Sequence, residues 1–298
     1  MSPEPVPAAI GFIGLGDMGA PMAGNMARAG LRVVGYDQAG TRERAPEGVE
    51  AASSTTYVAA KADTVFVSVP DGAASLAVVE ALVAAPTRRV RTVVDLSTIG
   101  VAAAETCASR AAEADLTYID APVSGGRTGA VKGTITVMPS GPAAVIEAHR
   151  AAFATFSRSL FHVGPKPGQG QAMKLLNNFL SAAAMAATSE AVHFGLAHGL
   201  DMKTMLDVLN VSTGQNTATS DKFPNRILTG SYDAGFRMSL MAKDVALFLG
   251  RARELGMPTF VTERVDECWR EADAALPGAD FTRIFPFVGE RGQRGGAH

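Results

Sequence analysis

The six residues Gly14-Leu15-Gly16-Asp17-Met18-Gly19 constrain this chain more than any other stretch. They follow the apolar run Ala9-Ile10-Gly11-Phe12-Ile13, which reads as a strand, and precede Pro21 to Ala29, which reads as a helix. G-x-G-x-x-G between a strand and a helix is the setting in which a backbone wraps a dinucleotide pyrophosphate. Gly14 allows the tight turn, Gly16 the close approach of backbone to phosphate, and Gly19 the packing of helix on strand. Leu15, Asp17 and Met18 complete the loop and are taken with the glycines as cofactor contacts. Free N–H groups at the helix start, with the positive end of its dipole, suit the anion.

Three spaced glycines recur by chance in a chain with 31 of them, so a second witness matters. Asp37 supplies it, at the end of a second strand-like run, Arg32 to Tyr36. A carboxylate there is placed to bond the adenosine ribose hydroxyls; the alternative is an ordinary turn residue. It would also repel a 2′-phosphate, so NAD is expected over NADP. Arg42 and Arg44, a few residues on, either hold such a phosphate or form a solvated surface pair, and the second reading is preferred.

Strand-like and helical runs alternate onward. Thr64 to Val69, Thr92 to Leu96, Leu116 to Ile119, Thr134 to Met138 and Leu160 to Val163 read as strands. Ala73 to Ala84 and Ala102 to Ala114 read as helices. Such alternation predicts βαβ units and a largely parallel sheet. After the breaker cluster Gly164-Pro165-Lys166-Pro167-Gly168, helical periodicity takes over. The expected architecture is a Rossmann-like α/β domain over 8–165 and an all-α domain over 166–290. Both ends, Met1 to Pro7 and Arg291 to His298, are expected to fray.

The polar chemistry concentrates just past the boundary. Lys174, Asn177, Asn178 and Ser181 fall at i, i+3, i+4 and i+7, one face of a helix whose other positions are mostly apolar. A lysine ammonium there can protonate a carbonyl oxygen as hydride arrives and act as base in reverse. Alternatively Lys174 snorkels outward and the asparagines bond local backbone. On the stripe alone the two readings stand level. Farther upstream, Ser124-Gly125-Gly126 follows a strand, where backbone N–H groups can converge on an anion; a plain tight turn fits equally. Ser97 and Thr98 read alone as helix caps.

Several classes are excluded. A net charge of −2 gives no footprint for nucleic acid or an anionic membrane. Two distant cysteines, Cys107 and Cys268, make neither a disulfide framework nor a metal cluster and suit a reducing cytoplasm. His149, His162, His193, His198 and His298 show no ligand spacing, and most are read as surface or capping residues; no metal is expected. The start lacks a secretory pattern, and no apolar run reaches the roughly 20 residues of a membrane span.

Four segments taken together resemble the β-hydroxyacid dehydrogenases. The opening, Gly11 to Asn25, carries Met18, Pro21, Met22 and Asn25 beyond what a generic dinucleotide loop needs. Asp120-Ala121-Pro122-Val123-Ser124-Gly125-Gly126 resembles the family's substrate-carboxylate loop. Gly168 to Asn178 resembles its G-x-G-x-x-x-K-x-x-N-N catalytic segment, and Phe236 through Lys243-Asp244 its C-terminal cofactor block. The resemblance implies a Rossmann-like domain, a long interdomain helix and a helical domain that often mediates oligomerisation, here a homodimer or homotetramer. It implies Lys174 as catalytic acid and base, with Ser124, Gly125, Gly126 and Asn178 on a small carboxylate substrate. Val69, Pro70, Thr98 and Lys243 are implied to line the cofactor, with Asp244 orienting Lys243. Asn177 is a weaker candidate that braces the helix. Arg127 is read as a solvated residue rather than a second anion site, and the polar, turn-like stretch 212–220 as able to shape substrate choice. The chain departs from the family at Pro139-Ser140-Gly141, where a glycine pair is usual, with no chemical consequence expected. Two other readings share the fold: an imine reductase, which typically replaces the lysine, and a non-catalytic dinucleotide-binding protein. Lys174 argues against both.

Overall fold

The computed structural model describes residues 9–295, with side chains over 9–291. The expected fraying of Met1 to Pro7 lies outside the described residues, as does that of the last three; helical backbone carries through Gly295. The chain forms two compact units, one through Lys174 and one from Leu175.

The first unit is built on the expected alternation. Its elements are β1 (Ala9–Ile13), α1 (Gly19–Arg28), β2 (Val33–Tyr36), α2 (Thr41–Arg44), β3 (Val49–Ala51), α3 (Thr55–Lys61), β4 (Ala62–Val67) and α4 (Gly72–Val83). Next come β5 (Thr92–Asp95), α5 (Val101–Ala112), β6 (Thr117–Asp120), β7 (Val123–Ser124), α6 (Gly126–Lys132), β8 (Ile135–Val137), α7 (Ala143–Ala148), α8 (Arg150–Ala154) and β9 (Ser157–Leu160). Strands β1 to β6 make one parallel sheet in the order β3-β2-β1-β4-β5-β6. The order reverses between β1 and β4, which opens a crevice at the strand C-termini where ligands bind in such sheets.

Both faces of that sheet are covered, which is why its inner strands read as continuous apolar runs. Val34, Val65 and Val93 pack on one side with Val58, Val79, Leu82 and Cys107. Phe12, Phe66, Val94 and Ile119 pack on the other with Met22, Met26, Phe153 and Phe156. Phe66 meets Phe153 edge-on at 5.6 Å between ring centres. Met22 is fully buried and Asn25 Nδ2 donates to the Ala130 carbonyl at 2.8 Å, so two of the extra opening-motif residues serve packing.

Two sequence expectations need correction. The last two expected strands do not extend the large sheet. They form a separate three-stranded sheet, β7-β8-β9, in which β7 and β8 run antiparallel. The last of them lies at Ser157–Leu160, earlier than Leu160 to Val163. Gly125 stands at φ +133° and Gly126 opens α6 directly, so a short helix stands where a plain tight turn was the alternative reading.

The helix α9 (Gln169–Ala197) spans 29 residues and contains the division between the units. From Leu175 on, the described residues are helical: the rest of α9, α10 (Met202–Leu209), α11 (Met238–Glu254), α12 (Phe260–Ala275) and α13 (Ile284–Gly295), with short irregular links. Trp269, fully buried, donates from Nε1 to the Ala182 carbonyl at 3.2 Å and stacks on Phe281, at the centre of this core. The stretch expected to be turn-like, 212–220, becomes helical at its end. A π-helical segment, Ala218–Ile227, contains Pro224 and starts from Asn216 Oδ1, which accepts from Ala218 N at 2.8 Å. Proline removes a backbone donor, and a widened turn absorbs the loss. No described helix is long and apolar enough to cross a membrane.

Candidate active site

The glycine loop has the geometry its spacing demands. Gly14 adopts φ +93°, and a side chain on it would collide with the Ser68 carbonyl at the next strand end. A methyl on Gly19, the first residue of α1, would strike the Gly14 carbonyl. Beside Gly16 nothing stands within 4 Å of where a Cβ would sit. Two glycines are therefore required by the protein's own packing, and the middle one faces open space.

Asp37 shapes this loop. It is 8 % exposed; its Oδ2 accepts the Leu15 N–H at 2.7 Å and its Oδ1 the Ala39 N–H at 2.8 Å. Each carboxylate oxygen keeps a further lone pair for a hydroxyl. Arg44 Nη1 stands 3.5 Å from Oδ2, which corrects the reading of Arg44 as simply solvated. Two further strand ends are joined by Ser97, whose Oγ accepts the Val69 N–H at 2.9 Å. Ser97 is thus no helix cap: α5 begins at Val101, with Gly100 before it. Pro70 follows Val69, and Thr98 is half-buried beside Ser97.

The start of α9 is fastened within the first unit by a buried polar group. Asp120, with no exposed surface, ends β6 beside Asp95 on β5. Its Oδ2 accepts from Gly168 N at 3.1 Å, Gln171 N at 3.0 Å and Ser140 Oγ at 3.1 Å. Its Oδ1 accepts from Gln171 Nε2 at 2.6 Å. Ser140 Oγ in turn accepts the Gly170 N–H at 3.0 Å. A Cβ on Gly170 would come within 2.6 Å of the Met138 carbonyl, so the second glycine of this segment lets the helix sit against the strand ends. Burial pushes the Asp120 carboxyl up to about 6; the donors from Gln171 and Ser140 pull it down, and Asp95 pushes it up further. Lys174, one turn along the helix, is 7 % exposed.

In the second unit Asn178 is 5 % exposed and its Nδ2 donates to Asp244 Oδ2 at 2.6 Å. Asn177 Nδ2 donates to Asn178 Oδ1 at 3.1 Å, and Lys243 Nζ lies 3.3 Å from Asp244 Oδ1. Asn178 therefore has a set orientation, with a second amide hydrogen on the same nitrogen. Among the described residues no group of three or more metal-binding side chains occurs.

Comparison with known proteins places this arrangement. A family model described as the NAD binding domain of 6-phosphogluconate dehydrogenase matches residues 9–164. A second, described as NAD-binding of NADP-dependent 3-hydroxyisobutyrate dehydrogenase, matches 168–288. An NAD-dependent L-serine dehydrogenase of Pseudomonas aeruginosa is 37 % identical, covering 80 % of this chain and 83 % of that one. This chain belongs to the β-hydroxyacid dehydrogenase family. A 2-(hydroxymethyl)glutarate dehydrogenase of Eubacterium barkeri is 34 % identical over 85 % of each chain. The solved structure of Mycobacterium tuberculosis 3-hydroxyisobutyrate dehydrogenase with L-serine superposes with a TM-score of 0.88 at 28 % identity, covering 94 % of this chain and 99 % of that one. The dehydrogenase is accordingly an NAD(P)-dependent oxidoreductase with a nicotinamide dinucleotide cofactor.

Sequence reasoning missed part of the dehydrogenase's polar framework. The departure at Ser140 is expected to have no chemical consequence, and its structural role is not legible: it is fully buried and bonds both Asp120 and Gly170. Gln171 reads along the sequence only as one residue of the catalytic segment, and its signal is slight: a polar side chain just after the second glycine, at the start of an apolar helix. His149 and His193 are partly buried, while His162 and His198 are exposed. His149 Nε2 pairs with Thr64 Oγ1 at 2.8 Å, and His193 stacks on Phe285 at 4.3 Å. Ser124 ends β7 half-buried, and Arg127 is exposed in the first turn of α6.

Proposed function

We propose that this dehydrogenase interconverts a small β-hydroxy acid and its semialdehyde, with Lys174 as general acid and base. The observation that carries the reading is a buried lysine one turn beyond a helix start fastened by Asp120. The loop from Gly14 through Leu15, Gly16, Asp17 and Met18 to Gly19 holds the pyrophosphate, and Asp37 the adenosine ribose. Val69 and Pro70 line the cofactor, and Thr98 and Lys243 its nicotinamide end. A bound nicotinamide supplies or accepts the hydride. As charge builds on the substrate carbonyl oxygen, the Lys174 ammonium stabilises it and delivers a proton from Nζ; in the oxidative direction the amine removes the hydroxyl proton. Ser124 Oγ and the backbone N–H groups of Gly125 and Gly126 hold the substrate carboxylate. Asn178, oriented by Asp244, gives its second amide hydrogen to a substrate oxygen. The domains are taken as 8–165 and 166–290.

The names of the relatives narrow the substrate. 2-(Hydroxymethyl)glutarate, L-serine and 3-hydroxyisobutyrate share one unit, a hydroxymethyl group on the carbon beside a carboxylate. We take that unit as what the site reads, with the remaining substituent open. The test is nicotinamide absorbance over those three acids, glycerate, threonate, a 3-hydroxypropanesulfonate and simple amines. Turnover of one hydroxymethyl acid carries the reading. Turnover of amines alone replaces it with imine reduction, and cofactor binding without any turnover favours a non-catalytic protein.

NAD is expected to exceed NADP in kcat/KM, because the Asp37 carboxylate repels a 2′-phosphate. Arg44, 3.5 Å from that carboxylate, offsets part of the repulsion. Arg44→Ala should therefore widen the preference by several-fold, a change of about 1 kcal/mol for a half-exposed pair. Steady-state kinetics with both cofactors checks this, and a much higher kcat/KM with NADP overturns it.

The chain is further read as a cytoplasmic homodimer or homotetramer. Both cysteines are free thiols, in keeping with a reducing compartment. An apolar groove of the second unit, lined by Phe179, Phe248, Met257, Phe260 and Val261, leaves Phe260 85 % exposed. Contiguous exposed apolar surface of this kind marks an interface. Light scattering should give a mass of two or four chains, and Phe260→Glu should lower it; a monomeric wild type rejects the reading.

A further inference from the structure

We propose that Gln171 is a positioning residue that couples the loop 97–100 to the helix carrying Lys174. The inference rests on the assignment of Lys174 and Thr98 above. Gln171 has no exposed surface. Its Oε1 accepts the N–H groups of Ile99 at 2.8 Å and Gly100 at 3.1 Å. Its Nε2 donates to the Ser97 carbonyl at 3.0 Å and to Asp120 Oδ1 at 2.6 Å. A primary amide offers two donors and two acceptor sites, and all four are used. Turning the amide over would set oxygen against oxygen and donor against donor, so its orientation is locked.

Fastening a helix start needs much less than this. A single Ser, Asp or Asn side chain usually serves. Here the backbone N–H of Gln171 is already held by Asp120 Oδ2. What the side chain adds is the loop: its bonds fall on Ser97 and on Ile99 and Gly100, on both sides of Thr98. Lys174 follows Gln171 by three residues, on the same face of α9. One buried amide thus ties the nicotinamide-lining loop to the turn that presents the proton donor. Of the charged groups, Asp120 touches that amide, and Asp95 is paired with Asp120 on the neighbouring strand. Hydride and proton must arrive at the two ends of one carbonyl, and a displacement of about 1 Å costs about 100-fold in rate.

The test uses the full-length enzyme with Gln171→Ala, Gln171→Glu and Lys174→Ala. In Gln171→Ala, kcat should fall about 100-fold while NADH binding holds. The deuterium isotope effect with 4-deuterated NADH should rise, because hydride transfer becomes limiting. In Gln171→Glu the new carboxyl faces Asp120. Its activity relative to wild type should climb as the pH falls and a proton restores the donor to Asp120. A folded Gln171→Ala enzyme with kcat within about threefold of wild type overturns the proposal, as does a Glu variant whose ratio to wild type is flat with pH. Hydrogen exchange on the unaltered enzyme gives an arm that needs neither a variant nor a substrate. NADH should slow exchange in 169–175 together with 96–101, and slowing in 96–101 alone also overturns the proposal. Full turnover by Lys174→Ala would sink the lysine assignment itself, an outcome distinct from any of these.

Discussion

Lys174→Ala is expected to lower kcat by two or more orders of magnitude while NADH still binds. General acid–base catalysis contributes roughly 10²–10⁴-fold, and the substitution removes the group and leaves water in its place. The glycine loop and Asp37 stand apart from it in the sequence and keep their own bonding, so cofactor affinity should change little. The substrate KM should change less than kcat, because the interaction lost belongs to the transition state. Lys174→Arg should recover only part of the rate. Its guanidinium keeps the charge that steadies the oxyanion but does not release a proton near neutral pH. Near-normal turnover in the alanine variant would remove Lys174 from the mechanism.

The second large effect concerns stability. Asp120→Asn is expected to erase a pH dependence of about 3 kcal/mol. Burial lifts the folded-state value of Asp120 from 3.8 to about 6. A carboxyl raised in this way binds its proton more tightly folded than unfolded. Its contribution to stability is therefore greatest below about pH 4, falls as the pH rises toward about 6, and is level above that. A displacement of about two pKa units corresponds to about 3 kcal/mol. Asparagine has no such proton. It also sets an amide N–H₂ against Gln171 Nε2, a mismatch that costs about 1–3 kcal/mol at every pH and so leaves the slope untouched. Urea unfolding of both proteins at about pH 3 and pH 7 should show the difference between them moving by about 3 kcal/mol in the variant's favour as the pH rises. An equal difference at the two pH values would contradict the burial argument.

The dinucleotide half of the molecule was legible because its constraints are local. Gly14, Gly16 and Gly19 answer to steric demands within one turn, and Asp37 sits at a fixed remove from them. Strands β1, β4 and β5 carry enough buried β-branched and aromatic residues to stand out. What escaped has a different character. Strand β3 is three residues at the sheet edge, none of them buried, and leaves no alternation to read. Helix α3 did announce itself, since Ser54 caps it by accepting from Tyr57 N, but seven residues are too few for a period to emerge. Proline ordinarily interrupts a helix, and the chain accommodates Pro224 inside a widened one. The polar group around Asp120 joins residues 48 and 51 positions apart, and Asn178 finds Asp244 66 positions on. No window along the sequence spans such pairs. The motif exposed Lys174 and Asn178, but not what holds them.

The bonding around Asp120 also decides where this protein can be divided. The run of prolines and glycines at 164–168 invites a cut for anyone exchanging dinucleotide domains between enzymes. A fragment ending at Gly164 would retain every strand of both sheets. It would lose Gly168 and Gln171, and with them three of the four hydrogen bonds that the Asp120 carboxylate accepts. The Ile99 and Gly100 amides would lose their acceptor in the same stroke. A chimera joined at that seam would inherit a buried, unsatisfied charge from one parent and a purposeless amide from the other. The crossover that respects the chemistry lies beyond Gln171, where the first turn of the long helix travels with the sheet that grips it.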